Sequence, residues 1–271
     1  MFARRVTLAG LGVATPRTAH PPRSQARCHS CDPRAPCLPC NLADAARFGD
    51  FVFTRKRVKR GGELCRTGAA FTGLYVVRSG FFKSSVMLED GRDQVNAFHM
   101  SGEILGLDGI GSGRHAADVT ALEDSEVCII PRSRVEERAL RDELCKAMSR
   151  ELVRAQAMMI LLGTMRAEER LAAFLIDLSQ RLLARGFSRD EFHLRMTRAE
   201  IGSYLGISLE TVSRLLSRFQ ADGLISVDQK HIRIRRHALL KAVIFPIDGC
   251  GGGSSCASTQ TATPRLFTVV A

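Results

Sequence analysis

Cys28, Cys31, Cys37 and Cys40 stand in the run CHSCDPRAPCLPC as C-x2-C-x5-C-x2-C. Thiolates spaced in this way hold zinc or an iron–sulfur cluster. A zinc site built from four cysteines generally has a longer excursion between its two knuckles, so that both turn toward one ion. A cube-shaped cluster is larger than an ion and accepts a compact loop plus one distant thiol, so three clustered cysteines and a remote fourth suit it better. Spacing alone leaves the fourth ligand open between Cys40 and Cys128 of SEVCIIP, where an apolar-flanked cysteine is also an ordinary small core residue.

A second constellation lies in MTRAEIGSYLGISLETVSRLLSRFQADGLI. Thr197 followed by Glu200 forms a capping box that opens a helix, Gly206 supplies a tight turn, and Ser208 caps a second helix. On that second helix Val212, Leu215, Leu216 and Phe219 make an apolar face and leave Glu210, Thr211, Ser213, Arg214, Ser217 and Arg218 outward. This is the helix-turn-helix arrangement for a major groove. Arg grips guanine O6 and N7, Glu accepts from cytosine N4, and Ser approaches thymine. Downstream, LISVDQKHIRIRRHAL alternates β-formers with Lys230, Arg233, Arg235 and Arg236, as in a basic wing lying on phosphates.

These sites need a scaffold, and the chain is long enough to supply one. Its 271 residues with 45% hydrophobic content suit two modest domains and a connector. A charge of +11 suits a polyanionic partner, and nine cysteines without disulfide-framework spacing suit a reducing, cytoplasmic compartment. No run is apolar enough to cross a bilayer. In the leader MFARRVTLAGLGVA, two glycines and the lack of a clean cleavage site argue against an export signal. There is no internal repeat.

From about Asp50 to Ile130, the runs FVFTRKRV, GLYVVRSG, FFKSSVML, QVNAFHM and SEVCIIP are cut by glycines, which predicts short strands in an antiparallel roll. From about Arg134 to Leu162 there is no proline or glycine, and Met148, Leu152, Ala155, Met159 and Leu162 recur at steps of four and three. That is a heptad-like seam two chains can share, although a helix packed on its own domain carries the same stripe. AEERLAAFLIDLSQRLLARGF is a further amphipathic helix closed by Gly186.

The chain resembles the FNR branch of the CRP/FNR transcription regulators, oxygen-responsive activators that carry a [4Fe-4S] cluster. The resemblance runs from Cys28 to about Leu240 and rests on CHSCDPRAPCLP, LYVVRSG, GEILGLDGIGSG, EVCIIP, AEERLAAFL, MTRAEIGSYLG and ETVSRLLSRF. It implies an α+β fold: an N-terminal antiparallel β-roll of cyclic-nucleotide-binding type as sensor, a long dimerisation helix, and a C-terminal winged helix-turn-helix. The expected boundaries are a disordered tail over 1–27, cluster loop and roll over 28–133, dimerisation helix over 134–163, DNA-binding domain over 164–245, and a flexible tail over 246–271.

By the same resemblance Cys28, Cys31, Cys37 and Cys128 are the cluster ligands, and the helix through Leu152 is the homodimer interface. Glu210, Ser213 and Arg214 would read a TTGAT-type palindrome in double-stranded DNA, with RNA polymerase as a further partner. Two departures stand out. Cys40 is an additional thiol beside the ligand loop, and Ala155 stands where a carboxylate would oppose pairing of cluster-free chains, which implies looser gating by dimerisation.

The nearest rival is a small-molecule sensor of the CRP type, with the N-terminal cysteines holding structural zinc. A cyclic-nucleotide pocket needs a Glu for the ribose and an Arg next to Ser or Thr for the phosphate, but here Arg114 is followed by His115, Ala116 and Ala117. GIGSG has no following helix to receive phosphates and is expected to be a turn of the roll. An enzyme is disfavoured because the seven histidines form no metal-spaced pair and no nucleophile and base assemble around any motif. His99 in NAFHM is expected to be a satisfied strand residue.

Overall fold

The computed structural model describes residues 24–27, 52–135 and 137–244. Cys28, Cys31, Cys37 and Cys40, most of the expected N-terminal tail and all of the C-terminal one lie outside the described residues.

The first half is a two-sheet roll. Its strands are β1 (Ser24–Arg27), β2 (Val52–Val58), β3 (Glu63–Cys65), β4 (Gly73–Ser79), β5 (Phe81–Met87), β6 (Asp93–Met100), β7 (Ile104–Leu105), β8 (Asp118–Ala121) and β9 (Ser125–Pro131). One sheet runs β1-β2-β9-β4-β7 and the other β3-β8-β5-β6, and every pairing is antiparallel. β4 and β9 are covered on both faces, which is why they read as unbroken apolar runs. Val127 of β9 faces the roll interior with Val58, Phe82, Leu105 and Val119, whereas Cys128 and Ile130 face a second layer with Leu74, Val76 and Ile104.

Two expectations are corrected. Ser24–Arg27, assigned by composition to a tail, forms edge strand β1, because a polar segment with no apolar period still completes the ladder of β2. GIGSG is not a plain turn: α1 (Gly109–Ser112) is one helical turn pressed against Phe71, where a Cβ on Gly109 would lie 2.7 Å from the ring.

After β9 come α2 (Arg132–Val135), α3 (Arg138–Thr164) and α4 (Ala167–Leu183). The helix expected over 134–163 is interrupted at Glu137, which is extended at φ −65° and ψ 132°. Val135 is thereby drawn into the layer of Cys128 together with Leu140, Leu144 and Ala147 of α3. The rest of the chain is β10 (Glu191–His193), α5 (Arg198–Leu205), α6 (Leu209–Ala221), β11 (Ile225–Asp228), β12 (His231–Ile234) and α7 (His237–Ile244), with β10-β12-β11 as a small antiparallel sheet. A single apolar core joins Leu161 of α3 and much of α4 to α5, α6 and α7, and continues into Phe98 and Met100 of β6. No helix among the described residues is long and apolar enough to cross a membrane.

Candidate DNA-reading and sensing sites

α5 begins where the Thr197 hydroxyl accepts from the Glu200 amide at 3.1 Å and the Glu200 carboxylate accepts from the Thr197 amide at 2.7 Å. It ends at Gly206, whose φ of 64° favours glycine. Gly202 fixes the crossing of α5 with the turn, since a Cβ there would lie 2.6 Å from the Ile207 carbonyl oxygen. The Ser208 hydroxyl then accepts from the Thr211 amide at 3.2 Å and starts α6. Val212, Leu215, Leu216 and Phe219 are buried, which forces the opposite face outward.

On that face Glu210, Arg214, Ser217 and Arg218 are exposed and Thr211 and Ser213 half-buried. The Glu210 amide and the Ser208 hydroxyl hold the Glu210 carboxyl below its usual range, so it is ionised at the helix start. Arg214 leans back toward the Thr211 hydroxyl at 3.5 Å. Arg218 is paired with Glu168 at 2.7 Å and with Asp222 at 3.8 Å, a partnership the sequence pattern did not reveal. The wing is the β11–β12 hairpin, turning at Gln229 with φ 53° and presenting exposed Lys230 at its tip. Arg233 and Arg235 are exposed, and Arg233 pairs with Glu191 at 2.6 Å. α6 and the wing thus offer one polar, largely cationic surface.

The reading head is bolted to the roll. Ser203 of α5 accepts from the Val95 amide at 2.9 Å and donates to the Asp93 carbonyl at 3.0 Å on edge strand β6, and Lys83 pairs with both Asp93, at 3.0 Å, and Glu200, at 3.2 Å. Beneath lies a buried carboxylate, Glu103. It meets Arg181 of α4 at 2.9 Å, Arg185 of the turn after α4 at 2.6 Å and Arg154 of α3 at 3.5 Å, with His99 Nδ1 at 3.9 Å. Burial alone would raise the Glu103 pKa, but the arginines outweigh it and hold it at about 2. Burial pushes His99 down to about 4, leaving it neutral, with its Nε2 at 2.8 Å from the Ser84 hydroxyl. Of this network only His99 was singled out from sequence, as a satisfied strand residue, and its Nε2 is partnered by Ser84; Glu103 and the arginines were not, because the arginines sit in helical patterns like any polar-face residue.

On the sensing side, β9 places Cys128 opposite Arg55 of β2 and Val76 of β4. It is buried in the layer that includes Leu140, Leu144 and Ala147 of α3. Arg27 of β1 pairs with Val52 of β2, so these two described residues lie side by side, three positions along β2 from Arg55. At about 3.3 Å per residue that is on the order of 10 Å from the Cys128 row. Among the described residues no three His, Cys, Asp or Glu side chains come together as a metal site. Beyond Ala147, α3 leaves Met148, Leu152, Met159 and Leu162 at 46, 60, 65 and 37% exposure, with Ala155 exposed between them.

Groups that a cyclic nucleotide would need are engaged within the roll. The Asp108 carboxylate accepts from the Ala116 and Ala117 amides at 2.6 and 3.3 Å, so these anion-binding donors already hold an anion. Arg114 donates to the Gly68 carbonyl at 2.7 Å, and Glu103 is committed to its arginines. A cavity of about 500 Å³ between roll, α3, α4 and the end of α5 is lined mostly by apolar side chains such as Leu105, Leu161 and Phe174, with charges of both signs from Asp108, Glu151, Arg154, Asp177 and Arg181.

Residues 55–142 match the cyclic nucleotide-binding domain family and residues 169–243 the Crp-like helix-turn-helix domain family. The chain is 42% identical over 216 residues to the transcriptional regulatory protein btr of Bordetella pertussis, an alignment covering 77% of this chain and 89% of that one. It is 40% identical over 220 residues to the fumarate and nitrate reduction regulatory protein of Escherichia coli, covering 79 and 88%. It is 41% identical over 218 residues to the transcriptional activator protein Anr of Pseudomonas protegens, covering 78 and 89%. The solved structure of FixK2 from Bradyrhizobium japonicum superposes with a TM-score of 0.66 at 31% identity, over 71% of this chain and 98% of that one. The three relatives are by name regulators, not enzymes. With its roll, its seam helix and its winged head, the chain therefore belongs to the FNR branch of the CRP/FNR family of DNA-binding transcription regulators.

Proposed function

We propose that this regulator senses oxygen through a [4Fe-4S] cluster held by Cys28, Cys31, Cys37 and Cys128, and controls anaerobic and microaerobic genes by binding a TTGAT-type palindrome as a homodimer. The observation that carries this is the position of Cys128: its side chain shares an apolar layer with Leu140, Leu144 and Ala147, the turns of α3 that lead into the bare seam. The donor chemistry fits, because a soft thiol in apolar surroundings stands on β9 beside β2, the strand that also pairs with Arg27 of β1. Relatives named for fumarate and nitrate reduction support an anaerobic role.

A [4Fe-4S] cluster bound there supplies an oxygen-labile centre. The chain does the rest. Cys128, tied to the N-terminal segment, holds β9 and the start of α3 in one arrangement. Met148, Leu152, Ala155, Met159 and Leu162 then meet their twins, and two copies of α6 enter adjacent major grooves. Loss of the tie lowers dimer and DNA affinity together, because a monomer contacts half a palindrome. Glu210, Thr211, Ser213 and Arg214 face the bases, and Arg218, Lys230, Arg233 and Arg235 serve the backbone, Arg218 and Arg233 after leaving their carboxylates. The small-molecule alternative is disfavoured by Asp108, which takes the amides a phosphate would need.

Iron and sulfide analysis of anaerobically purified protein, with visible spectra before and after air, tests the cofactor. Cys128→Ser is expected to lack the chromophore and Cys40→Ser to keep it. Iron retained by Cys128→Ser and lost from Cys40→Ser would reverse the ligand assignment.

A further inference from the structure

α3 ends at Thr164 and α4 begins at Ala167, so the seam helix and the reading head are joined through Met165 and Arg166 alone. Both residues are extended, with φ and ψ of −95° and 148° at Met165 and −74° and 161° at Arg166. A two-residue extended link has little stiffness of its own. The angle between the helices must be held from outside it.

Arg170, on the first turns of α4, supplies that brace. Its guanidinium donates from Nη2 to the Leu162 carbonyl at 2.7 Å, from Nε to the Met165 carbonyl at 2.9 Å and from Nη1 to the Leu205 carbonyl at 3.0 Å. Leu162 lies in the last turn of α3 and Leu205 is the last residue of α5, so one cation satisfies orphan carbonyls at the negative ends of two helices and at the link between them. The turn of the helix-turn-helix is packed onto the same point. A Cβ at Gly206 would lie 3.4 Å from Arg170 Nη1 and 3.6 Å from Leu162 Cδ2. Three acceptors in fixed directions require a planar fork, which a lysine ammonium on a flexible stem does not reproduce.

We infer that Arg170 is the positioning residue that sets the spacing between DNA half-sites. The inference rests on the proposed two-fold dimer through α3. α6 is fixed to α5 by the close crossing at Gly202, so whatever locks α5 to the end of α3 also locks α6 relative to the dimer axis. A shift of the two recognition helices by about 3.4 Å corresponds to one base-pair step, so a slack hinge lets neighbouring spacings compete. Arg170 touches no base. Its removal should leave the sequence preferred within each half-site unchanged.

The test measures binding of anaerobically purified full-length protein to palindromes whose spacer is lengthened or shortened one base pair at a time. Wild type is expected to favour one spacing by tenfold or more, and Arg170→Gln to reduce that preference below threefold while base choice within the half-site and the sedimentation dimer persist. Arg170→Lys, which keeps the charge and serves should the glutamine variant not fold, is expected to lose the preference as well. Wild-type spacing preference in either folded variant, or loss of base choice together with spacing, overturns the role of Arg170. A wild type that binds one half-site as tightly as two overturns the dimer beneath it instead.

Discussion

Arg181 donates from a single guanidinium nitrogen to both carboxylate oxygens of Glu103, at 3.0 and 2.9 Å, across 78 positions of sequence. The same nitrogen reaches the Phe98 carbonyl at 2.7 Å, and Arg185 donates to the Ser101 carbonyl at 2.6 Å. One buried acid of the roll therefore gathers α3 and α4 onto the sensor, and the C-terminal part of α4 cannot move on the roll without exposing or unpairing it.

Glu103→Gln leaves the buried Arg181 with only the more exposed Asp177, at 3.4 Å, as counter-charge and is expected to destabilise the fold by about 3 kcal/mol in denaturant titrations. The pH dependence has a defined sign. The folded pKa of Glu103, about 2, lies below the ordinary 4.5, so its contribution is present above 4.5 and is lost as pH falls toward 2. His99, held at about 4 against 6.5, adds a loss between pH 6.5 and 4, because the unfolded chain binds that proton first. The variant should show a flatter acid limb below pH 4.5, and an unchanged limb would show that Glu103 does not carry it.

Arg214→Ala is expected to cost about 1–3 kcal/mol of discrimination at one base pair, read from a binding selection. Arg235→Ala should instead weaken all sequences alike and lower the salt dependence by roughly one charge. Unaltered base preference in Arg214→Ala would remove α6 from its assigned role.

The reading head was legible because local rules fix it. A capping box at Thr197, a left-handed Gly206 and the spacing of Val212, Leu216 and Phe219 leave little freedom. The strands of the roll were legible for the same reason, as apolar runs cut by glycine. β1 was not, since an edge strand of Ser, Gln, Ala and Arg is specified by its partner and not by its own pattern. Glu103, Arg170 and Asp108 were equally hidden. Each derives its role from atoms dozens of positions away or from backbone groups, and neither leaves a period in the sequence.

Ala155 is expected to loosen the gate. Met148, Leu152, Met159 and Leu162 offer apolar surface to a twin, each substantial contact adding about 1 kcal/mol or more, and no carboxylate at the centre opposes it. Cluster-free wild type should retain measurable dimer in sedimentation at micromolar concentration. Ala155→Asp should make dimer formation depend more sharply on the cluster. A wholly monomeric cluster-free wild type would show that Ala155 leaves the gate unchanged.

Adenosine 3′,5′-cyclic monophosphate at millimolar concentration is expected to leave the thermal midpoint unmoved, because Asp108 holds the Ala116 and Ala117 amides. A ligand at a hundred times its Kd stabilises by about 2.7 kcal/mol, so an upward shift of several degrees would restore the small-molecule alternative.

The central claim is that the tie at Cys128 governs DNA binding through α3. The direct measurement is the affinity of one anaerobic preparation for a TTGAT-type palindrome, followed by anisotropy before and after admission of oxygen, with the visible spectrum recorded on the same sample. Affinity is expected to fall at least tenfold in step with the chromophore, and Cys128→Ser to bind from the outset like the oxidised protein. Equal affinity before and after bleaching, or wild-type anaerobic affinity in Cys128→Ser, would contradict it.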